Sequence, residues 1–217
     1  MKVERFKDRA GLDGALIAQL KQAIESGGGL MLSGGNTPRN AYLQISKLPL
    51  RAAPDLALLF SDDRYVPQDS PASNYRMASP LIEALRLRDA QVLRVRTELP
   101  LEEAAADYER QLSELIAAQS SVRLGLLGLG ADGHTASLFA PGDLERAHDH
   151  LAIAVQRPDG MQAVSVTPAL LARVDRLVIV VTGAEKQAAL DALLARDPGL
   201  IAWRAVEECP AVEVWTA

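Results

Sequence analysis

Short apolar runs alternate with amphipathic helical stripes along the 217 residues of this chain. Apolar runs of this length predict buried strands, and a stripe such as Leu12, Leu16 and Leu20 predicts a helix. The predicted strands are 30–32, 55–60, 92–95, 124–129, 151–155, 163–166, 176–181 and 212–215, and the predicted helices are 12–26, 38–47, 74–85, 101–115 and 184–195. Because such alternation favours a parallel sheet covered on both faces, we expect a three-layer, mostly parallel α/β fold.

The overall charge and the single cysteine restrict which binding partners and which cellular compartment are expected. The formal net charge is −5 and the pI is about 5.3, which argues against a nucleic-acid or anionic-membrane surface. Cys209 is the only cysteine, so no internal disulfide is expected, as in a reducing compartment. The charged N-terminus lacks the apolar core of a signal peptide, and no segment has the apolar length of a membrane span. We therefore expect a cytoplasmic protein with a single domain, 1–217.

Loops of unusual composition follow four of the predicted strands, at 33–37, 61–67, 130–137 and 182–186. In parallel sheets, ligands bind outside the carboxyl ends of the strands, where such loops meet. The convergence of these loops therefore predicts one binding edge.

Three of these loops carry groups suited to an anion. In the first, Ser33, Gly34 and Gly35 expose backbone N–H groups before a helix whose N-terminus favours negative charge, and the Thr37 hydroxyl adds a donor. The alternative is a tight turn in which Thr37 is an ordinary helix cap. Arg64 and Lys186 stand in two of the other loops.

The bland interpretation of these charged residues is a solvated surface. In the functional interpretation, Arg64 binds anionic oxygens bidentately, and Asp62 or Asp63 orients it or faces the substrate. Lys186 lies in the first turn of a helix, where the dipole disfavours a cation unless an anion binds there.

The segment Gly128–Phe139 carries the residues suited to proton transfer. Asp132 and His134 lie two residues apart in a glycine loop that follows an apolar strand, so we interpret His134 as an oriented general base or acid. The formal G-x-G-x-x-G match at Gly128 lies mid-chain and is a weak indication of a nucleotide. His148 and His150 are expected in an exposed loop, and no metal or other cofactor is predicted.

Taken together, these residues resemble the 6-phosphogluconolactonases, in the superfamily that includes glucosamine-6-phosphate deaminase. The matching elements, in family order over about the whole chain, are Ser33–Pro38, Asp62–Pro67, Ser73–Tyr75, Gly128–Phe139 and Thr182–Lys186. The resemblance implies a Rossmann-like sheet and adds Asn74 and Gly130 to the substrate-binding residues. Two positions depart from the family pattern: Asp63 stands where a glutamate is usual, and Gln162 and Ala163 stand where an arginine is often found.

The resemblance implies hydrolysis of 6-phospho-D-glucono-1,5-lactone to 6-phospho-D-gluconate, in the oxidative pentose phosphate pathway. The substrate is a small sugar-phosphate lactone, and the protein is expected to be a monomer or a weak homo-oligomer. His134 would activate water and then protonate the leaving oxygen, Asp132 would orient it, and N–H groups of the glycine loops would stabilise the oxyanion. Two alternatives remain: an amino-sugar-phosphate deaminase/isomerase with Asp62 as base, and a non-catalytic sugar-phosphate sensor that does not need His134.

Overall fold

A computed structural model describes residues 1–119 and 121–217 of the chain. The strands are β1 Lys2–Arg5, β2 Gly29–Leu32, β3 Ala57–Phe60, β4 Asp62–Arg64, β5 Val122–Gly128, β6 Ala152–Gln156, β7 Gln162–Val166, β8 Leu177–Val181 and β9 Val212–Thr216. The α-helices are α1 Arg9–Ser26, α2 Asn36–Ile45, α3 Asn74–Leu85, α4 Leu101–Gln119, α5 Pro141–Arg146, α6 Pro168–Leu171, α7 Gln187–Leu194 and α8 Ile201–Val206. Short 3₁₀ turns cover Asp89–Gln91 and Ala184–Lys186.

The main sheet has six strands in the order β1-β9-β8-β5-β2-β3, and all of its strand pairs are parallel. Successive strand residues point to opposite faces. On β3, Leu58 and Phe60 accordingly pack in the cluster that contains the apolar faces of α1, α2 and α3, while Leu59 packs with Tyr108 of α4 in the other cluster. Helices thus cover both faces, and the predicted three-layer α/β fold is confirmed.

A second, antiparallel sheet of three strands in the order β4-β7-β6 lies outside the predicted architecture. The segments 151–155 and 163–166 are strands, as predicted, but they pair with each other as a hairpin rather than joining the parallel sheet. The segment 61–67 was predicted to be a loop, yet β4 lies inside it. Charged residues in a three-residue strand give no apolar run, so the prediction of a loop was wrong there.

Several boundaries and short elements also differ from the prediction. No strand forms at 92–95, where the described chain shows only an isolated bridge between Leu58 and Val92. β1, α5, α6 and α8 were not predicted, since each is only a few residues long. Pro38 is the third residue of α2 rather than its first. This position costs no hydrogen bond, because the first N–H groups of a helix have no intrahelical acceptor. Among the described helices, none is both long and apolar enough to cross a bilayer.

Candidate functional site

The four loops that the sequence singled out begin at the carboxyl ends of β2, β3, β5 and β8, which are neighbours in the main sheet. The convergence predicted for them is therefore confirmed. They surround a cavity of about 170 Å³. Its lining residues are Ser33, Gly34, Gly35, Ser61, Asp62, Arg64, Asn74, Gly128, Leu129, Gly130, His134, Ala136, Arg157 and Lys186.

Two buried tyrosines fix the points at which the first two loops leave the sheet. The Tyr42 hydroxyl of α2 accepts from the Ser33 N–H at 3.1 Å and donates to the Ser33 carbonyl at 3.0 Å. The Tyr108 hydroxyl of α4 accepts from the Phe60 N–H at 2.9 Å and donates to the Phe60 carbonyl at 2.5 Å. The ends of β2 and β3 are thereby tied to helices on opposite faces of the sheet.

His134 and Asp132 form the pair that the sequence predicted. The imidazole Nδ1 lies 2.5 Å from Asp132 Oδ1, and the His134 backbone N–H donates to the same oxygen at 3.2 Å. A carboxylate only accepts, so the proton resides on Nδ1 and the Nε2 lone pair remains available as a base. Partial desolvation opposes ionisation of Asp132, but the hydrogen bonds from His134 outweigh it and lower the pKa of Asp132.

The tight turn around this pair explains its glycines. A Cβ on Gly130 would lie 2.1 Å from His134 Nδ1 and 2.3 Å from Asp132 Oδ1, so only glycine leaves room for the pair. Gly133 has φ +85° and its carbonyl accepts from the Ala202 N–H of α8 at 2.9 Å, which anchors the loop. The N–H groups of Gly130 and Gly133 donate within the loop, to the carbonyls of His134 and Gly130.

The glycine loop after β2 and the loop after β8 meet at the other end of the cavity. No side chain caps α2, whose N-cap Gly35 has φ +104°. Its first N–H groups therefore have neither an intrahelical acceptor nor a side-chain cap. The Thr37 hydroxyl lies 3.2 Å from that of Thr182 and is outside the cavity lining, so it joins the two loops. Lys186 lines the cavity and forms no ion pair within residues 1–119 and 121–217.

β4 delivers Arg64 and Asp62 into the cavity, whereas Asp63 points away from it. Arg64 donates through one guanidinium nitrogen to Asn74 Oδ1, and the Asn74 amide donates to the Asp62 carbonyl at 2.8 Å. Ser73, rather than Asn74, caps α3, and its hydroxyl accepts from the Arg76 N–H at 3.1 Å. Asn74 is thereby left to orient Arg64.

The two neighbouring aspartates have separate tasks. Asp62 is buried and accepts from the hydroxyls of Ser61 at 2.8 Å and Ser137 at 2.7 Å. Asp63 is buried at the start of α3, where it accepts from the N–H groups of Asn74 at 2.6 Å and Tyr75 at 3.1 Å. Burial raises the pKa of Asp63, and these hydrogen bonds partly oppose the rise.

Arg157, which sequence reasoning missed, also lines the cavity. It follows β6, and its guanidinium donates to Ser137 Oγ at 3.0 Å and lies 5.0 Å from the centroid of the Phe139 ring. The turn sequence Arg157-Pro-Asp-Gly160 between two predicted strands indicates a hairpin, but it does not indicate that the hairpin lies beside the site.

Neither of the other histidines belongs to the site. His148 pairs with Asp149 and His150 with Glu109, both at the surface, as expected of an exposed loop. Across the described residues, no three His, Cys, Asp or Glu side chains are grouped as metal ligands.

A larger groove of about 1070 Å³ lies on the side of the edge strand β3, between α3 and α4. Three of its arginines form ion pairs, Arg94 with Glu98, Arg96 with Asp107 and Arg110 with Glu114, and none of the predicted site residues lines it. The chemistry therefore assigns the functional site to the smaller cavity.

Comparisons with known proteins identify the family of the chain. The sequence profile of the family described as glucosamine-6-phosphate isomerases/6-phosphogluconolactonase matches residues 10–215. The 6-phosphogluconolactonase of Treponema pallidum is 35% identical over 209 residues, which cover 91% of this chain and 86% of that protein. The human 6-phosphogluconolactonase is 33% identical over 178 residues, covering 76% of this chain and 67% of that protein.

Solved structures extend the likeness to the whole fold. The 6-phosphogluconolactonase of Thermotoga maritima superposes with a TM-score of 0.84 at 26% identity, covering 99% of this chain and 98% of that chain. A monomeric glucosamine-6-phosphate deaminase shares the fold, with a TM-score of 0.81 at 17% identity, covering 100% of this chain and 97% of that chain. The chain therefore belongs to the enzyme family of glucosamine-6-phosphate isomerases and 6-phosphogluconolactonases.

Proposed function

We propose that this protein hydrolyses 6-phospho-D-glucono-1,5-lactone to 6-phospho-D-gluconate, as a step of the oxidative pentose phosphate pathway. The observation that carries the proposal is the His134–Asp132 pair, with Nδ1 and Oδ1 2.5 Å apart, on the wall of a cavity that Arg64 and Lys186 also line. A proton-transfer group and cations in one cavity suit a phosphorylated ester. The relatives named 6-phosphogluconolactonase support the same reaction.

In the proposed mechanism, His134 handles both protons. Nε2 takes a proton from water while the water oxygen attacks the lactone carbonyl carbon, and a tetrahedral intermediate forms. The bond from that carbon to the ring oxygen then breaks, and the proton on Nε2 passes to the leaving oxygen. Asp132 holds the imidazole through Nδ1 in the tautomer that keeps Nε2 basic, and it stabilises the imidazolium between the two transfers.

The phosphate has a separate role, which is to anchor the lactone. The N–H groups at the start of α2, the Lys186 ammonium and the Arg64 guanidinium come from three loops and offer donors to one dianion. Binding energy from this remote group positions the reacting carbon at His134. Three cations, Arg64, Arg157 and Lys186, share the lining with the single carboxylate of Asp62. The cavity is thus locally positive in a chain of net charge −5.

The test is a direct assay of the purified protein with 6-phosphogluconolactone and with glucosamine 6-phosphate. We expect hydrolysis of the lactone, measured through the proton that it releases, and no release of ammonia from the amino sugar. Ammonia release without lactone hydrolysis would instead favour a deaminase with Asp62 as base. Binding of both sugar phosphates with turnover of neither would favour a sensor.

A further inference from the structure

Arg157 has the position and the free donors of a ligand-binding residue. Its side chain is 11% exposed, yet the guanidinium lies on the wall of the cavity that holds His134. The guanidinium and the imidazole contact the same aromatic ring: the Phe139 centroid lies 5.0 Å from Arg157 Cζ and 4.3 Å from the centre of the His134 ring. Arg157 therefore shares one wall of this small cavity with His134.

The hydrogen bonds of Arg157 fix its orientation without using all of its donors. Asp159 accepts from Nε at 3.1 Å and from one terminal nitrogen at 2.9 Å, and Ser137 Oγ accepts from the other terminal nitrogen at 3.0 Å. A guanidinium has five N–H groups, so two remain for a ligand. The carboxylate of Asp159, at the tip of the β6–β7 hairpin, thus fixes the planar guanidinium of Arg157 on the side away from the two free N–H groups.

Arg157 and Arg64 reach the cavity from the two outer strands of the small sheet, which flank β7. Arg64 pairs in register with Ala163, and Ala163 pairs on its other side with Val155, two residues before Arg157. The Asp159 carboxylate is influenced by both arginines: its pKa is lowered by the hydrogen bond from Arg157 first, and also by the charge of Arg64. Two guanidiniums in one cavity create a site suited to an anion with several oxygens.

We propose that Arg157 is a substrate-binding residue that contacts the phosphate of the sugar together with Arg64 and Lys186. It supplies, from the turn that follows β6, the cation that is missing at Gln162 and Ala163. The assignment rests on the function proposed above, and it names a residue on which that function did not depend.

The test compares Arg157→Gln with Arg110→Gln, which removes an arginine from surface ion pairs outside the cavity. Two readouts are needed: kcat/KM for 6-phosphogluconolactone and for unphosphorylated gluconolactone, and the Kd of 6-phosphogluconate and of gluconate by calorimetry. For Arg157→Gln we expect kcat/KM for the phosphorylated lactone, mainly through KM, and the affinity for 6-phosphogluconate to fall roughly ten- to hundredfold. Losing charge-assisted hydrogen bonds typically has an effect of about that size. The unphosphorylated compounds and the Arg110→Gln variant should change by less than about threefold.

Two further variants keep the proposal testable if Arg157→Gln folds poorly. Arg157→Lys retains the charge but loses the fork, and an intermediate loss confined to phosphorylated compounds is expected. Asp159→Asn leaves both charge and fork in place but loosens their orientation, which should raise KM for the phosphorylated lactone a few-fold.

Equal losses for phosphorylated and unphosphorylated compounds in every Arg157 variant would overturn the assignment, because Arg157 would then only support the fold or the reacting end. Failure of the proposed function is distinguishable. The parent would then hydrolyse neither lactone, while calorimetry with 6-phosphogluconate would still show whether Arg157 binds the phosphate.

Discussion

The two sheets build the cavity in different ways. The six-stranded parallel sheet supplies three loops, which carry the start of α2, the His134–Asp132 pair and Lys186. The three-stranded antiparallel sheet supplies Arg64 directly from β4 and Arg157 from the residue after β6. The large sheet thus contributes the reacting group and the helix N-terminus, and the small sheet contributes both arginines. The comparison suggests that chemistry and phosphate recognition can be lost separately.

The largest expected effect is the loss of the proton-transfer group on the large sheet. His134→Ala should lower kcat/KM by about 10²–10⁴-fold, and equally for phosphorylated and unphosphorylated lactone, because the reacting carbon is common to both. Steady-state kinetics on a variant shown to be folded by circular dichroism checks this. His148→Ala, which removes an exposed histidine, is the matched control. Activity within a few-fold of the parent in the folded His134→Ala variant would contradict the assignment.

Removing one cation from each sheet tests whether Arg64 and Lys186 bind the phosphate. Arg64→Ala on the small sheet and Lys186→Ala on the large sheet should each cost roughly ten- to hundredfold in kcat/KM for the phosphorylated lactone. They should have little effect on the unphosphorylated lactone, and Lys21→Ala, which breaks a surface pair with Glu25, should have none on either. If Arg64→Ala lowered kcat/KM equally for both lactones, Arg64 of the small sheet would contribute to the reaction itself rather than to binding of the phosphate.

The large sheet and the loops of its site were predictable because apolar runs in the sequence indicate the strands. β2, β3, β5 and β8 are buried strands, each followed by small or charged residues that stand out against the run. Parallel pairing then brings the loops together at one edge, so the grouping of Ser33, Arg64, His134 and Lys186 followed from topology alone.

The small sheet was not predictable by the same reasoning. β4 consists of Asp62, Asp63 and Arg64, and neither periodicity nor propensity indicates a strand there. Its partner strands were predicted, but pairing partners are set by tertiary contacts that a local pattern does not contain. Arg157 was missed for that reason, because its distance from the site depends on how the hairpin packs. The division between Asp62, which lines the cavity, and Asp63, which accepts from the first N–H groups of α3, likewise depends on which way each side chain points.

A smaller effect is expected where two loops of the large sheet are joined. The Thr37 and Thr182 hydroxyls lie 3.2 Å apart, so Thr37→Val and Thr182→Val should each raise KM for the phosphorylated lactone a few-fold, the equivalent of about 1 kcal/mol. The double variant should cost no more than either single one, because the same contact is lost in all three. A loss in Thr37→Val far larger than in Thr182→Val would instead place the Thr37 hydroxyl on the phosphate.

The last comparison concerns stability rather than activity, and it uses one aspartate from each region. The pKa of Asp63, in β4 of the small sheet, is raised by burial, so the folded state binds its proton more tightly than the unfolded state does. Its contribution to stability is therefore fully present below the unfolded value of about 4 and is lost as the pH rises through the folded pKa. The pKa of Asp132 is lowered, so its contribution is present above about 4 and is lost as the pH falls through the folded pKa.

Urea unfolding between about pH 3 and 7 should show the parent gaining stability relative to Asp63→Asn as the pH falls, and losing it relative to Asp132→Asn. The second change should be the weaker, since Asp132 is 57% exposed and solvent screens its pair with His134. If the parent instead lost stability relative to Asp63→Asn as the pH falls, burial would not dominate the pKa of Asp63.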